Sequence, residues 1–234
     1  MKKLLLYTIC FLFPILFSGC TVQSLIKTSS EKYPIPNNSV HKDIPYLDNM
    51  PYPDLYFTYT RQKEKALNLP ELLNGYEDFS FRAWISSPTG QGIQPGELIE
   101  IRQTKGEWSG TYYTMNIKFI QSKNEEQIIN YKSYNIEPTD ITWNQLLGDL
   151  SECEIFELKS LDKLDDYIAL PAEQKGYAPG SSVICFEVAT AKLYRFFKYH
   201  SLSKYGRFKE VRQADRIMKL LKYEFNIAEV VFNN

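Results

Sequence analysis

Phe79-Ser80-Phe81-Arg82-Ala83-Trp84-Ile85-Ser86 is the stretch that decides the architecture. Phe79, Phe81, Ala83 and Ile85 take alternate positions, with Ser80, Arg82, Trp84 and Ser86 between them. Successive side chains of an extended chain point to opposite faces, so this period of two predicts a half-buried β-strand. The pattern repeats downstream. Leu98 to Gln103 alternates, Lys105-Gly106 makes a turn, and Trp108 to Ile120 places Thr111, Tyr113, Met115, Ile117 and Phe119 on one face. Gln127 to Ile136 can return beside it. Val183 to Ala189 and Lys192 to Tyr199 flank Thr190-Ala191 as a hairpin. Strands joined by compact turns predict an antiparallel meander.

Helical periods interrupt the strands. Trp143, Leu146, Leu147 and Leu150 share a helix face behind a cap at Thr139 or Asp140. Phe208, Val211, Ile217, Met218, Leu221 and Phe225 form an apolar stripe from about Arg207 to Phe225. A shorter helix is expected from Arg61 to Leu73, interrupted at Pro70 and stopped by Asn74-Gly75. Glu152 to Leu158 and Ile227 to Phe232 have strand character, and Pro88 to Gly96 is a loop rich in Gly, Gln and Pro. The expected fold is α+β: an antiparallel β-sheet, a meander, with two or three helices packed on one face. A rolled, calyx-like sheet is the alternative. It forms a single domain over residues 55–234.

The N-terminal region has a different composition. Met1-Lys2-Lys3 is positive, Leu4 to Phe17 is apolar apart from Thr8, and Ser18-Gly19 are small. These are the three parts of an export signal, with an apolar core too short for the ~20 residues that span a bilayer. Phe17-Ser18-Gly19-Cys20 resembles the lipobox of bacterial lipoproteins, with Phe17 in the place usually taken by Leu. The resemblance implies cleavage of residues 1–19, acylation of Cys20, and a cell-envelope protein held to a membrane through a lipid anchor. Thr21 stands where Asp marks inner-membrane retention in the enteric pattern, which favours the outer membrane. Residues 20–54 read as a tether. Five of the twelve prolines (Pro34, Pro36, Pro45, Pro51 and Pro53) lie there without an apolar period, the composition of an extended spacer. Tyr33, Tyr46 and Tyr52 suggest that its second half lies along the domain.

Without Lys2 and Lys3, 25 basic side chains face 28 acidic ones. There is no basic excess for a nucleic-acid partner. Cys153 and Cys185 remain once Cys10 is discarded and Cys20 acylated. Two readings are open: a disulfide contributing roughly 3–4 kcal/mol in the chain-entropy model, or two reduced cysteines packed as small hydrophobes.

Catalytic patterns are weak. His41 and His200 are the two histidines, with no His-x-x-x-His for a metal and no Gly-x-Ser-x-Gly elbow for a hydrolase. Gly90-Gln91-Gly92-Ile93-Gln94-Pro95-Gly96 is followed by Glu97 and a strand, whereas a phosphate cradle precedes a helix. Glu152, Glu154, Asp162, Asp165 and Asp166 read as a solvated acidic face. No cofactor is expected. The aromatics offer the best binding surface: Tyr112, Tyr194, Phe196 and Tyr199, ending at His200. Three functions are compatible with this sequence. They are a non-catalytic lipoprotein with an envelope protein partner, a small-ligand or glycan binder using an aromatic-lined sheet, and a hydrolase with an unfamiliar site.

Overall fold

The computed structural model describes residues 40–43, 54–87 and 92–227. Cys20, the signal segment, most of the tether, the start of the glycine-rich loop and the expected strand beyond Ile227 lie outside them. Within them, seven strands form one open, mostly antiparallel sheet: β1 His41–Asp43, β2 Phe79–Ser86, β3 Ile93–Thr104, β4 Glu107–Ile120, β5 Glu125–Ile136, β6 Val183–Thr190 and β7 Leu193–His200. Their spatial order is β1-β7-β6-β2-β3-β4-β5. The two end strands do not pair, so the sheet is not a closed calyx. The helices are α1 Leu55–Ala66, α2 Trp143–Glu152, α3 Asp165–Ile168, α4 Leu202–Tyr205 and α5 Lys209–Glu224. The α+β class agrees with the alternation and periods in the sequence.

The helices divide between the two faces of the sheet, which corrects the expectation of one covered face. On one face, Phe79, Phe81, Ala83 and Ile85 of β2 pack with Leu146, Leu147 and Leu150 of α2 and with Val211, Ile217 and Leu221 of α5. On the other, Trp84, Leu98, Met115, Cys185 and Phe196 pack with Tyr56, Phe57 and Tyr59 of α1. All eight residues of β2 are buried. The polar half of its alternation is therefore a second interior, because α1 brings charged partners to Arg82.

Helix ends follow local chemistry. Asp54 caps α1 by accepting from Tyr56 N at 2.8 Å, and its other oxygen takes Lys198 Nζ at 2.6 Å. That double contact starts the helix six residues before the expected Arg61 and pins it to β7. The helix stops before Pro70: Asn68 adopts φ +54°, and the Leu69 N–H returns to Glu64 O. This is the left-handed cap that closes many helices. Thr142, not Thr139 or Asp140, caps α2 in a reciprocal box with Gln145.

Glu152 to Leu158 is not a strand. Glu154 takes φ +62°, the Ile155 N–H donates to Leu150 O, and the Glu157 and Leu158 N–H groups fold back on Glu154 O. Cys153, Ile155, Phe156 and Leu158 bury themselves in the core from successive turns, so their apolar spacing imitates a strand.

Three residues of the expected tether join the sheet. β1 pairs in parallel with β7, His41 opposite Leu193 and Asp43 opposite Arg195. Arg195 donates to Asp43 Oδ2 at 2.8 Å and to the carbonyls of Phe156 and Leu158. One buried guanidinium thus holds both the edge strand and the turn after α2.

Candidate functional site

The five expected binding residues do not form one surface. Tyr194 and Phe196 lie in the interior under α1: the Tyr194 hydroxyl donates to Glu187 at 2.8 Å, and the Phe196 ring meets Phe57 edge-on at 5.3 Å. Tyr199 lies in the opposite interior, its hydroxyl donating to Lys159 O at 2.6 Å. His200 is buried at the end of β7. Tyr112 alone remains half-exposed, and it stacks on Tyr134 at 6.2 Å. The correction has a simple cause: β6 and β7 are central strands with a helix on each side, so aromatic residues on either face become core.

Cys153 and Cys185 are free, buried thiols. Cys153 belongs to the core beside α2 and Cys185 to the core beside α1, with the sheet between them. The bridge is therefore not formed. Burial raises both thiols, Cys185 to about 12, which leaves them protonated and inert.

His200 sits in an aromatic cage, 4.3 Å from the Tyr177 ring and 5.4 Å from Tyr205. Burial, and then the charges of Lys198 and Lys204, lower its pKa to about 4. The following residue, Ser201, has φ +53° between a strand and a helix, a placement that invites comparison with a nucleophile elbow. Its hydroxyl lies 3.3 Å from His200 Nδ1, accepts from Ala178 N at 2.8 Å and donates to Ser181 Oγ at 2.9 Å, so it is held by the loop rather than presented to a substrate. No carboxylate hydrogen-bonds to His200 among the described residues. The pair clamps the 176–182 loop to the end of β7.

Beneath α1 lies a buried ionic cluster. Arg82, fully buried, donates to Glu100 at 2.9 Å, to Glu64 at 2.5 Å and to Pro70 O at 2.9 Å. Glu187 accepts from Arg61, from the Trp84 indole at 2.6 Å and from the Tyr194 hydroxyl. Burial raises the Glu64 carboxyl although Arg61 and Arg82 oppose it. With Glu64, Glu187 and one oxygen of Glu100 engaged by donors of the fold itself, this cluster orients α1 on the sheet.

The outer strands differ. α1 reaches only the start of β5, through Gln62 and Lys63 on Glu126, and register sets Glu97, Thr114 and Lys132 side by side on the face that carries α5. A groove of about 320 Å³ runs there, lined by Glu97, Thr114, Asn116, Asn130, Lys132 and Tyr134 among others. Glu97 is 3% exposed, and neither carboxylate oxygen has a hydrogen-bond partner. Burial raises its carboxyl above the ordinary range, against the pull of the Lys222 ammonium and the nearby Tyr112 hydroxyl. On the opposite side of β5, Tyr131 is 49% exposed, and Ile129 at the bulge is 45% exposed.

Sequence reasoning found Tyr112 of this region and missed the rest. The available signal was the second half of β5, where Asn130, Lys132, Ser133 and Asn135 put polar residues at both parities and the strand is exposed. Among the described residues no cluster of His, Cys, Asp and Glu can hold a metal ion, and no helix is long and apolar enough to cross a membrane. No protein-family model, curated protein or solved structure matches the chain.

Proposed function

We propose that this is a lipid-anchored protein of the bacterial cell envelope, held to the outer membrane through Cys20, whose domain has a non-catalytic role in binding another envelope protein. The observation that carries the protein-binding part is the free edge at β5. Gln62 of α1 caps the Glu126 N–H at its start; beyond that the strand contains no proline and exposes Ile129 and Tyr131 beside unpaired backbone groups. Proteins ordinarily shorten, charge or cover such an edge; here Glu125, Glu126 and α1 guard its start, and the run from Ile129 to Tyr131 is left open. An extended segment of a partner adds to it as an eighth strand, with backbone hydrogen bonds giving affinity and Ile129 and Tyr131 giving apolar contact. The lipobox-like Phe17-Ser18-Gly19-Cys20 supports the anchor.

Two measurements test the two halves. Radiolabelled palmitate is expected on the full-length chain and absent from Cys20→Ala; label that persists in the variant overturns the anchor. A photo-crosslinking residue at position 131 is expected to capture one discrete envelope protein in intact cells. Ile129→Glu, with the crosslinker retained, should abolish that adduct. An adduct unchanged by Ile129→Glu, or none at all, overturns the edge-docking reading.

A further inference from the structure

The geometry points to the groove over β3, β4 and β5 as a saccharide-binding site in which Glu97 receives hydroxyl donors of a neutral sugar. This assignment does not rest on docking at the β5 edge, since it uses the other side of that strand. A buried carboxylate is costly unless hydrogen bonds compensate it. The other buried acids find donors within the fold: Glu64 and one oxygen of Glu100 from Arg82, and Glu187 from Arg61, Trp84 and Tyr194. Glu97 differs, because its carboxylate lies just beneath an open groove with only the Tyr112 hydroxyl and the Lys222 ammonium near it and no well-formed hydrogen bond to either oxygen.

The surrounding chemistry selects the ligand class. The walls supply Thr114, Asn116 and Asn130, which both donate and accept, and Lys132, which donates. Asn116 Nδ2 already donates to Asn130 Oδ1 at 2.9 Å, which orients the two amides as a pair. Lys132 in the wall and Lys222 acting on Glu97 disfavour a simple cation. Glu97 in turn disfavours an anion. A neutral molecule dense in hydroxyl groups satisfies all of these groups at once. Tyr134, 48% exposed and backed by Tyr112, offers a ring face against which the C–H side of a sugar can stack. The groove is at the small end of the ~300–1,000 Å³ typical of ligand sites, so it suits one or two sugar units rather than a long chain.

The test is saturation-transfer NMR on the full chain in a sugar-free detergent, with methyl glucoside, methyl galactoside and N-acetylglucosamine as probes and lysine amide as the cationic control. At least one sugar is expected to receive saturable transfer and lysine amide none. Glu97→Gln should weaken that sugar roughly tenfold or more, the scale of a hydrogen bond to a charged acceptor. Tyr134→Ala, an exposed change that leaves both cores intact, should weaken it as well. Tyr131→Glu, on the opposite side of β5, should leave it unaltered. Transfer to none of the sugars, preference for lysine amide, or sugar binding indifferent to both Glu97→Gln and Tyr134→Ala would each overturn the assignment. Because the β5-edge test uses Ile129→Glu, the two proposals fail separately.

Discussion

Replacing His200 with Phe should flatten the acid side of the stability profile. The imidazole is buried against Tyr167, Tyr177 and Tyr205, and Lys198 and Lys204 are the cations that act on it. Its pKa falls from 6.5 to about 4. A group depressed in this way is neutral in the native state while the unfolded chain still takes up a proton. Its contribution is complete above pH 6.5 and is lost as the pH falls to about 4, below which both states are protonated. At about 1.4 kcal/mol for each tenfold change in proton affinity, the whole loss is about 3 kcal/mol. Carboxylates also titrate in this window, and the raised Glu64 and Glu97 act with the opposite sign, because the native state binds their protons first. The informative quantity is therefore the gap between wild type and His200→Phe. Urea unfolding at neutral pH and at closely spaced pH values down to 4 should show the gap shifting in favour of the variant by about 3 kcal/mol. Two profiles that run parallel would refute the reasoning, since the imidazole would then titrate alike in both states.

Three other perturbations probe different parts of the fold. Arg82→Met leaves Glu64 and Glu100 without their main donor, and urea unfolding should record a loss of about 3–5 kcal/mol; Arg82→Met with Glu64→Gln and Glu100→Gln should recover much of it. Gly110→Ala places a Cβ 2.7 Å from the Trp143 ring and 2.8 Å from Ile136 O, so it should cost about 1–3 kcal/mol and disturb the near-ultraviolet signal of the stacked Trp108–Trp143 pair. Cys153 and Cys185 should both resist a thiol reagent in the folded protein and both react in denaturant without reductant. Failure to react there would indicate the bridge that the structure separates.

Much of the fold was legible because periodicity depends on backbone geometry alone. The alternation in Phe79–Ser86 located β2, and the Val211–Ile217–Leu221 stripe located α5. What alternation cannot report is whether the polar parity meets water or another layer. Arg82 reads as solvent-facing until Glu64 and Glu100 are known to sit beside it, and those partners lie 18 residues away in each direction. The same limit misplaced the candidate site. Tyr194, Phe196 and Tyr199 look like an aromatic surface in one strand, yet a strand in the middle of a sheet covered on both sides has no surface to offer. Glu97 was invisible for the opposite reason. Nothing local marks it, and its isolation arises only from the register that sets it beside Thr114 and Lys132.

The short parallel strand at the sheet edge also determines how the molecule yields to force. A pull delivered from the N-terminal side reaches the domain first at His41–Asp43, where three residues and the Asp43–Arg195 ion pair oppose it. Peeling them away opens neither core, because β1 contributes no residue to the two buried clusters. The edge strand is thus a mechanical fuse, parting under tension while both cores stay closed.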